Sequence, residues 1–256
     1  MVSSGHGAMI VARNDFRMID ANLGYGVGYQ LFTKSVFDPE EVQLVLQMLG
    51  LRRGYFGDGV VALDCGANIG VHTVEWSRHM FGWGKVIAVE AQERIYYALA
   101  GNVALNNCMN ASVIHCAVGD EMGIIDIPNL DYASPSSFGS FELKKRANTE
   151  FIGQKVDYEK GATTPVKLIT IDSLNLQRLD FLKMDVEGME IEALNGALET
   201  IKTHKPQLLI EFIKAEPGAI EALVQDLGYT TFVIGGNVLA VHKDDPGLSH
   251  ITPNVE

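Results

Sequence analysis

Cysteine is scarce in this chain. Its 256 residues include three, Cys65, Cys108 and Cys116. An odd number with no CxxC pair excludes a disulfide framework and a multi-cysteine zinc site. Cys65 and Cys116 fall in apolar, strand-like runs, where a free thiol packs as a small hydrophobe. Free thiols point to a reducing, cytoplasmic compartment. Positive charge is also in deficit: 20 Lys and Arg against 32 Asp and Glu leave a net charge of −12. That balance excludes the clustered basic footprint of a nucleic-acid binder and the polybasic face of a membrane-surface protein. No run reaches the roughly 18 apolar residues of a membrane span, and the N-terminal stretch lacks the basic start and apolar centre of a signal peptide. Two phosphate-binding signatures are missing as well, GxGxxG and a glycine loop ending in GK[ST]. What remains is a globular composition, 47% hydrophobic and 20% charged, long enough for one large domain with its own core.

Residues 38–50 carry helix signals: Pro39 near the start, Glu40 and Glu41 in the first turn, apolar residues at 42, 45, 46 and 49, and Gly50 as a stop. Residues 9–37 before it read as short strands and turns, and the first seven residues as loosely held. From residue 59 a rhythm of short apolar strands and amphipathic helices begins. Strands are expected at 60–65, 85–91, 112–118, 180–188 and 206–212, and helices at 70–80, 94–106 and 189–201. A further helix follows Pro217 and stops before Gly228. Apolar residues on both faces of a strand mark a buried parallel sheet, and alternation with helices gives a doubly wound α/β architecture. Gly235-Gly236-Asn237 between two apolar runs signals a closing hairpin, which brings an antiparallel strand near the sheet edge. Residues 121–178 interrupt the rhythm as an insertion, and its Ser- and Gly-rich stretch 134–141 is the candidate mobile substrate lid. The expected organisation is an N-terminal segment, 1–58, packed on a main domain, 59–245, with a tail at 246–256.

Ligands bind beyond the carboxyl ends of the strands in such sheets. The first strand ends in "DCGANIGVHT", residues 64–73. Gly66 and Gly70 permit a tight turn and close backbone approach. Asp64 places negative charge beside that turn, which repels phosphate and attracts a cation. Glu90 ends the next strand, 26 residues after Asp64, where a carboxylate can accept hydrogen bonds from both hydroxyls of a ribose. An acidic turn, a ribose-reading acid and no phosphate cradle describe a pocket for a cationic nucleoside. S-adenosylmethionine fits, since it carries a ribose, an ammonium and a sulfonium but no phosphate.

The stretches "DCGANIGVHT", "VIAVEAQ", "LKMDVEGMEIEALNGA" and "PQLLIEF" resemble the FkbM-type S-adenosylmethionine-dependent methyltransferases of the class I Rossmann-like group. The resemblance runs from about residue 37 to 243. It implies a seven-stranded, mostly parallel sheet with the last strand antiparallel. It also implies cofactor contacts from Asp64, Gly66, Asn68 and Gly70, with Glu90 on the ribose and the adenine against Ala91 and Cys116, Ala117 and Val118. Ala67, Thr73 and Asp185 complete the candidate cofactor contacts. The partner it implies is a small-molecule methyl acceptor, often a sugar or secondary metabolite methylated on oxygen. N-methylating members also exist, so a peptide or amine acceptor stays open.

A hydroxyl acceptor must lose its proton, and candidate bases are Asp185, Glu187, Glu211 and His72. Asp185 and Glu187, two residues apart, share one side of an extended segment. They can share a proton or help hold a divalent ion. Glu187 with Glu190 can equally complement the next helix N-terminus. No histidine–acid cluster defines a metal site, so none is expected. Two other readings compete: an NAD-dependent oxidoreductase, which would need the missing glycine pattern, and a non-catalytic cofactor-binding module.

Overall fold

Val60–Cys65, apolar except for Asp64, forms a strand buried along its whole length, β1. It lies inside a seven-stranded sheet with Gly84–Glu90 (β2), Ala111–His115 (β3), Phe181–Met184 (β4), Gln207–Glu211 (β5), Tyr229–Ile234 (β6) and Asn237–His242 (β7). The computed structural model describes residues 1–159, 161–215 and 218–251. Spatial order is β6-β7-β5-β4-β1-β2-β3. The pairings from β3 across to β5 are parallel, and β7 is antiparallel to both of its neighbours. The last strand is therefore inserted between β5 and β6. Strand order reverses at β1 and β4, the place where a crevice opens above an α/β sheet.

The helices are Val27–Lys34 (α1), Pro39–Phe56 (α2), Val71–His79 (α3), Glu93–Leu105 (α4), Glu190–Asn195 (α5), Leu198–His204 (α6) and Ala219–Asp226 (α7). Period-two alternation sorts the strands between two layers. Val60, Ala62, Phe181 and Leu209 pack against Val45, Met48 and Leu49 of α2 and Trp76 of α3. Val61, Leu63, Leu182 and Met184 face the other way, onto Ala193, Leu194, Ile201 and Val224 of α5, α6 and α7. The same parity turns Asp64, Lys183, Asp185 and Glu211 towards the α2–α3 side.

Several sequence expectations need correction. Residues 27–34, expected to lie among short strands and turns, are helical. Helix α2 does not stop at Gly50; it runs to Phe56, and Gly57 ends it with φ 74°. A Cβ at Gly50 or Gly54 would meet nothing, so both are tolerated mid-helix at a cost only in propensity. The apolar run 112–118 is two strands in two sheets. Residues 111–115 belong to the main sheet, while Ala117–Val118 pairs with Thr163–Ile169 in a three-stranded sheet that also holds Gly123–Pro128. That small sheet is the ordered part of the insertion. The single helix expected over 189–201 is broken into α5 and α6 where a distant residue takes over the backbone groups: the Gly196 carbonyl accepts from the Asp172 amide at 2.9 Å, and the Asp172 carboxylate accepts from the Glu199 and Thr200 amides at 3.2 and 2.7 Å. Pro217 lies outside the described residues, as do 252–256 of the tail; Pro246–His250 is a short 3-10 turn. The N-terminal residues are not loose. Val2–Ser4 pairs with Gly7–Met9, and His6 Nδ1 lies 2.9 Å from Glu75 of α3.

Residues 134–141 also pack inward. Ser136, Ser137, Phe138 and Phe141 are buried. The buried Asp15 carboxylate accepts hydrogen bonds from the Gly28 and Phe138 amides at 3.0 and 3.2 Å, tying α1 to this segment. All three cysteines are buried free thiols. Among the described residues no helix is long and apolar enough to cross a membrane.

Candidate active site

Above the reversal of strand order lie two adjoining cavities. The first is a narrow cleft lined by Gly66, Asn68, Glu90, Ala91, Cys116, Ala117, Val118 and Asp185, and roofed by Gly139, Phe141 and Leu143. The second, about 350 Å³, shares Gly66, Asn68, Gly139, Asp185 and Glu187 with it and continues over Asp64, Ala67, His72, Lys183 and Glu211. Its far wall comes from the N-terminal segment: Tyr25 and Gln30 beside α1, Asp38 and Glu41 at the start of α2.

The β1–α3 turn makes this possible. Gly66 and Ala67 amides donate to the Val89 carbonyl at 3.0 and 2.9 Å, lashing the turn to β2. Gly66 has φ 76°, and a Cβ there would stand 1.7 Å from the Asp185 carbonyl oxygen. The glycine is needed for both conformation and room. Gly70 serves packing instead. Its φ is 86°, and a Cβ would meet Leu99 Cδ1 of α4 at 2.5 Å. Gly70 does not line either cavity, nor does Thr73, whose hydroxyl donates to Asp64 Oδ2 at 2.6 Å. Thr73 holds Asp64 in place; the other oxygen of this buried carboxylate, Oδ1, has no partner.

Glu90 is buried at the end of β2. Its carboxylate accepts from the Asn68 amide at 3.0 Å and the Gln92 amide at 2.7 Å. Burial pushes its pKa up to about 7, against the pull of those amides. Each oxygen keeps a lone pair for a ribose hydroxyl, and only the ionised group accepts on both. Affinity for S-adenosylhomocysteine is therefore expected to fall roughly tenfold between pH 8 and pH 6 as Glu90 takes up its proton. Calorimetry at the two pH values checks this, and Glu90→Gln should bind more weakly with that pH dependence removed.

Asp185, Glu187 and Glu211 bring carboxylate oxygens within 4.8 Å of one another. The route differs from the extended segment expected: Glu187 sits in the left-handed region at φ 54°, followed by Gly188 at φ 94°, so a turn brings the side chains together. Glu190, not Glu187, satisfies the amides ahead of α5, accepting from Val186 and Gly188 at 3.1 Å. The three are spaced for a divalent ion, yet two already face ammonium groups. Lys183 Nζ donates to Asp185 Oδ2 at 2.8 Å, and Lys214 Nζ contacts Glu187 and donates to the Ser140 carbonyl at 2.8 Å. Burial works against charge on Lys183, but Asp185, Glu41 and Asp64 more than reverse it, raising its pKa. Burial and the Asp185 charge push Glu187 up, and Lys214 pulls it back. Glu211 makes no hydrogen bond or ion pair among the described residues. Burial, then Asp185, push its pKa up to about 8.

His72 is buried, with Nε2 3.1 Å from Glu41 Oε1. Glu41 also accepts from Asn237 Nδ2 at 2.8 Å. Burial alone would raise its pKa; His72, Lys183 and Asn237 bring it down to about 2. Glu41, Lys183 and Lys214 were missed by sequence reasoning, while Phe141 lies in the stretch expected as a lid. Only Lys183 left a signal: a lysine inside an apolar strand, two residues from Asp185.

An open α/β sheet in the order β3-β2-β1-β4-β5-β7-β6, with an acid and a glycine turn after β1 and an acid after β2, defines a Rossmann-like class I methyltransferase. The Methyltransferase FkbM domain model matches residues 64–231, well over half of the chain, and the chain belongs to that family. It is an S-adenosylmethionine-dependent methyltransferase. It is 29% identical over 190 residues to methyltransferase sdnD of Sordaria araneosa, covering 65% of this chain and 72% of that one. The structure of methyltransferase FkbM from Methylobacillus flagellatus shares the fold at 19% identity and a TM-score of 0.50, over 75% of this chain and 48% of that chain. This chain thus spans about half of that protein's length. A SAM-dependent methyltransferase from Aquifex aeolicus aligns over 80% of this chain and 97% of its own, at 15% identity and a TM-score of 0.38.

The residues fit the cofactor. The orphaned Asp64 Oδ1 suits the ammonium end, and Glu90 suits the ribose. Ala91, Cys116, Ala117 and Val118 supply an apolar wall for the base.

Proposed function

We propose that this chain methylates a hydroxyl group of a small molecule, such as a sugar or secondary metabolite, and that Glu211 accepts the hydroxyl proton. The observation that carries this reading is Glu211 itself. It is a carboxylate without a partner among the described residues, on the wall of the 350 Å³ cavity, beside the cofactor cleft, with a pKa of about 8. A general base works best with a pKa near the working pH. Asp185, engaged by Lys183, has its acceptor capacity directed elsewhere and serves to hold positive charge. When bound, S-adenosylmethionine supplies a methyl group on a cationic sulfur that an oxygen nucleophile attacks directly. The chain's own part is to align the acceptor, exclude water and take its proton. Asp64 and Asp185 hold the cationic end. The segment 137–141 closes the top of both cavities. His72, 3.1 Å from Glu41, lines the acceptor side.

The lining also favours a second reading. Asp38, Glu41, Asp64, Asp185, Glu187 and Glu211 face Lys183 and His72 across the cavity. That surplus of carboxylates turns away acidic acceptors and would welcome a protonated amine, the N-methylation alternative. Incubation with S-adenosylmethionine and paired hydroxyl and amine acceptor pools, read by mass spectrometry, tests both. Products heavier by one CH₂ only in the hydroxyl pools support O-methylation; products only in the amine pools replace it. Binding of NADH without S-adenosylhomocysteine binding would sink both.

A further inference from the structure

The acceptor cavity opens beside an apolar groove. Ile213, two residues past Glu211, lines the cavity on one side and the groove on the other. The groove, about 300 Å³, is walled by Phe212, Ile213, Ala215, Ile220, Val233 and Val238, and among the described residues its one charged neighbour is Glu221. Ile213 is 67% exposed and Val233 61% exposed. Single exposed apolar side chains are ordinary on protein surfaces; a walled groove that shares a lining residue with a reaction cavity is not. The turn between β6 and β7 fixes the junction. The Phe212 amide donates to the Gly236 carbonyl at 3.0 Å, and Ile213 Cδ1 lies where a Cβ on Gly236 would come within 2.8 Å. The side chain is thereby laid over the hairpin, at the mouth.

The other exit has opposite chemistry. It is lined by Glu142, Arg146, Asn148, Glu150 and Lys214, and Ile213 again borders it. Ile213 stands where a charged passage, an apolar groove and the carboxylate-lined cavity meet. A hydroxyl brought to Glu211 leaves the rest of its molecule at this junction.

We propose that the groove is an acceptor subsite and that the methyl acceptor is amphipathic, a compact polar head bearing the hydroxyl joined to an apolar body lying along Ile213, Ile220 and Val233. This rests on the hydroxyl-methylating reading and narrows it: a free sugar would leave the groove empty. The groove is preferred as an acceptor site over a contact between copies of the chain because it adjoins the reaction cavity, with Ile213 lining both.

The probes are methyl β-D-glucoside and n-hexyl β-D-glucoside, the latter below micelle formation. Each is titrated calorimetrically into the full chain saturated with S-adenosylhomocysteine. Each methylene buried strengthens binding about fourfold, so burial of even two makes the hexyl compound at least tenfold tighter. Val233→Asp, on the exposed edge strand and away from the reaction cavity, should remove that advantage and leave S-adenosylhomocysteine affinity unchanged. Equal affinity for the two glucosides, or a hexyl advantage that survives Val233→Asp, overturns the subsite. Light scattering on the same variant decides the competing occupant: a wild-type dimer converted to monomer assigns the groove to a second copy and overturns the proposal. If S-adenosylhomocysteine itself fails to bind, the methyltransferase reading fails first, and the two failures are told apart.

Discussion

Glu211→Gln is expected to lower kcat by about 10²–10⁴-fold, the usual contribution of a positioned general base, while S-adenosylhomocysteine binds within about twofold of wild type. The glutamine keeps the size and polarity of the side chain and loses only the ability to take a proton. The resting carboxyl has a pKa of about 8 because it is buried and faces Asp185. A base must be unprotonated to act, so kcat/KM in the wild type should climb as pH rises through that value and level off above it. The limb should vanish in Glu211→Gln. Asp185→Asn gives a different signature. It frees Lys183, whose ammonium then has lost its hydrogen-bonded carboxylate, and cofactor affinity should fall along with turnover. If instead Glu211 served a divalent ion with Asp185 and Glu187, activity would disappear in EDTA and return with magnesium. Full turnover in Glu211→Gln would remove it as the base.

Gly66→Ala is expected to be the most disruptive single change in the cofactor cleft. The added methyl would sit 1.7 Å from the Asp185 carbonyl oxygen, and φ 76° is strained for any residue with a Cβ. Neither partner can yield cheaply. The Asp185 amide is bonded to the Cys65 carbonyl at 3.0 Å and Gly66 to Val89 at 3.0 Å, so relief requires parting β1 from β4 at the floor of the site. A loss of about 3 kcal/mol or more in urea unfolding is expected, the scale of mutations that force backbone apart in a core, together with loss of S-adenosylhomocysteine binding. Gly50→Ala on α2 is the control. Nothing lies within 4 Å of its Cβ position, so it should stabilise by up to about 1 kcal/mol through helix propensity. Wild-type stability and binding in Gly66→Ala would show that the close approach is not needed.

Much of this was legible along the chain because it depends on local order. The apolar runs gave five of the seven main strands, the paired glycines gave the closing hairpin, and "DCGANIG" with Glu90 gave residues that line one cleft. Gly50 looks like a helix stop, but nothing in its surroundings ends α2, which continues to Gly57. Residues 189–201 have one amphipathic stripe, yet the helix parts where Asp172, distant in sequence, bonds the Gly196 carbonyl and the Glu199 and Thr200 amides. The run 112–118 has no interruption in hydrophobicity, and only its pairing partners show that it serves two sheets. The last two are decided by a segment far away in sequence.

The active site divides in the same way. Sequence alone determined which residues stand at the strand ends, since alternation and strand length are local properties of the backbone. Only the folded chain decided their roles. Thr73 was spent on holding Asp64, Lys183 and Lys214 on Asp185 and Glu187, and Glu211 alone of the three clustered carboxylates was left without a partner. The register that sets Lys183 beside Asp64, and the N-terminal segment that brings Glu41 to His72, arise from contacts between residues more than thirty positions apart. Charge and hydrogen-bond partners at that distance set a carboxyl's proton affinity, and no local pattern encodes them.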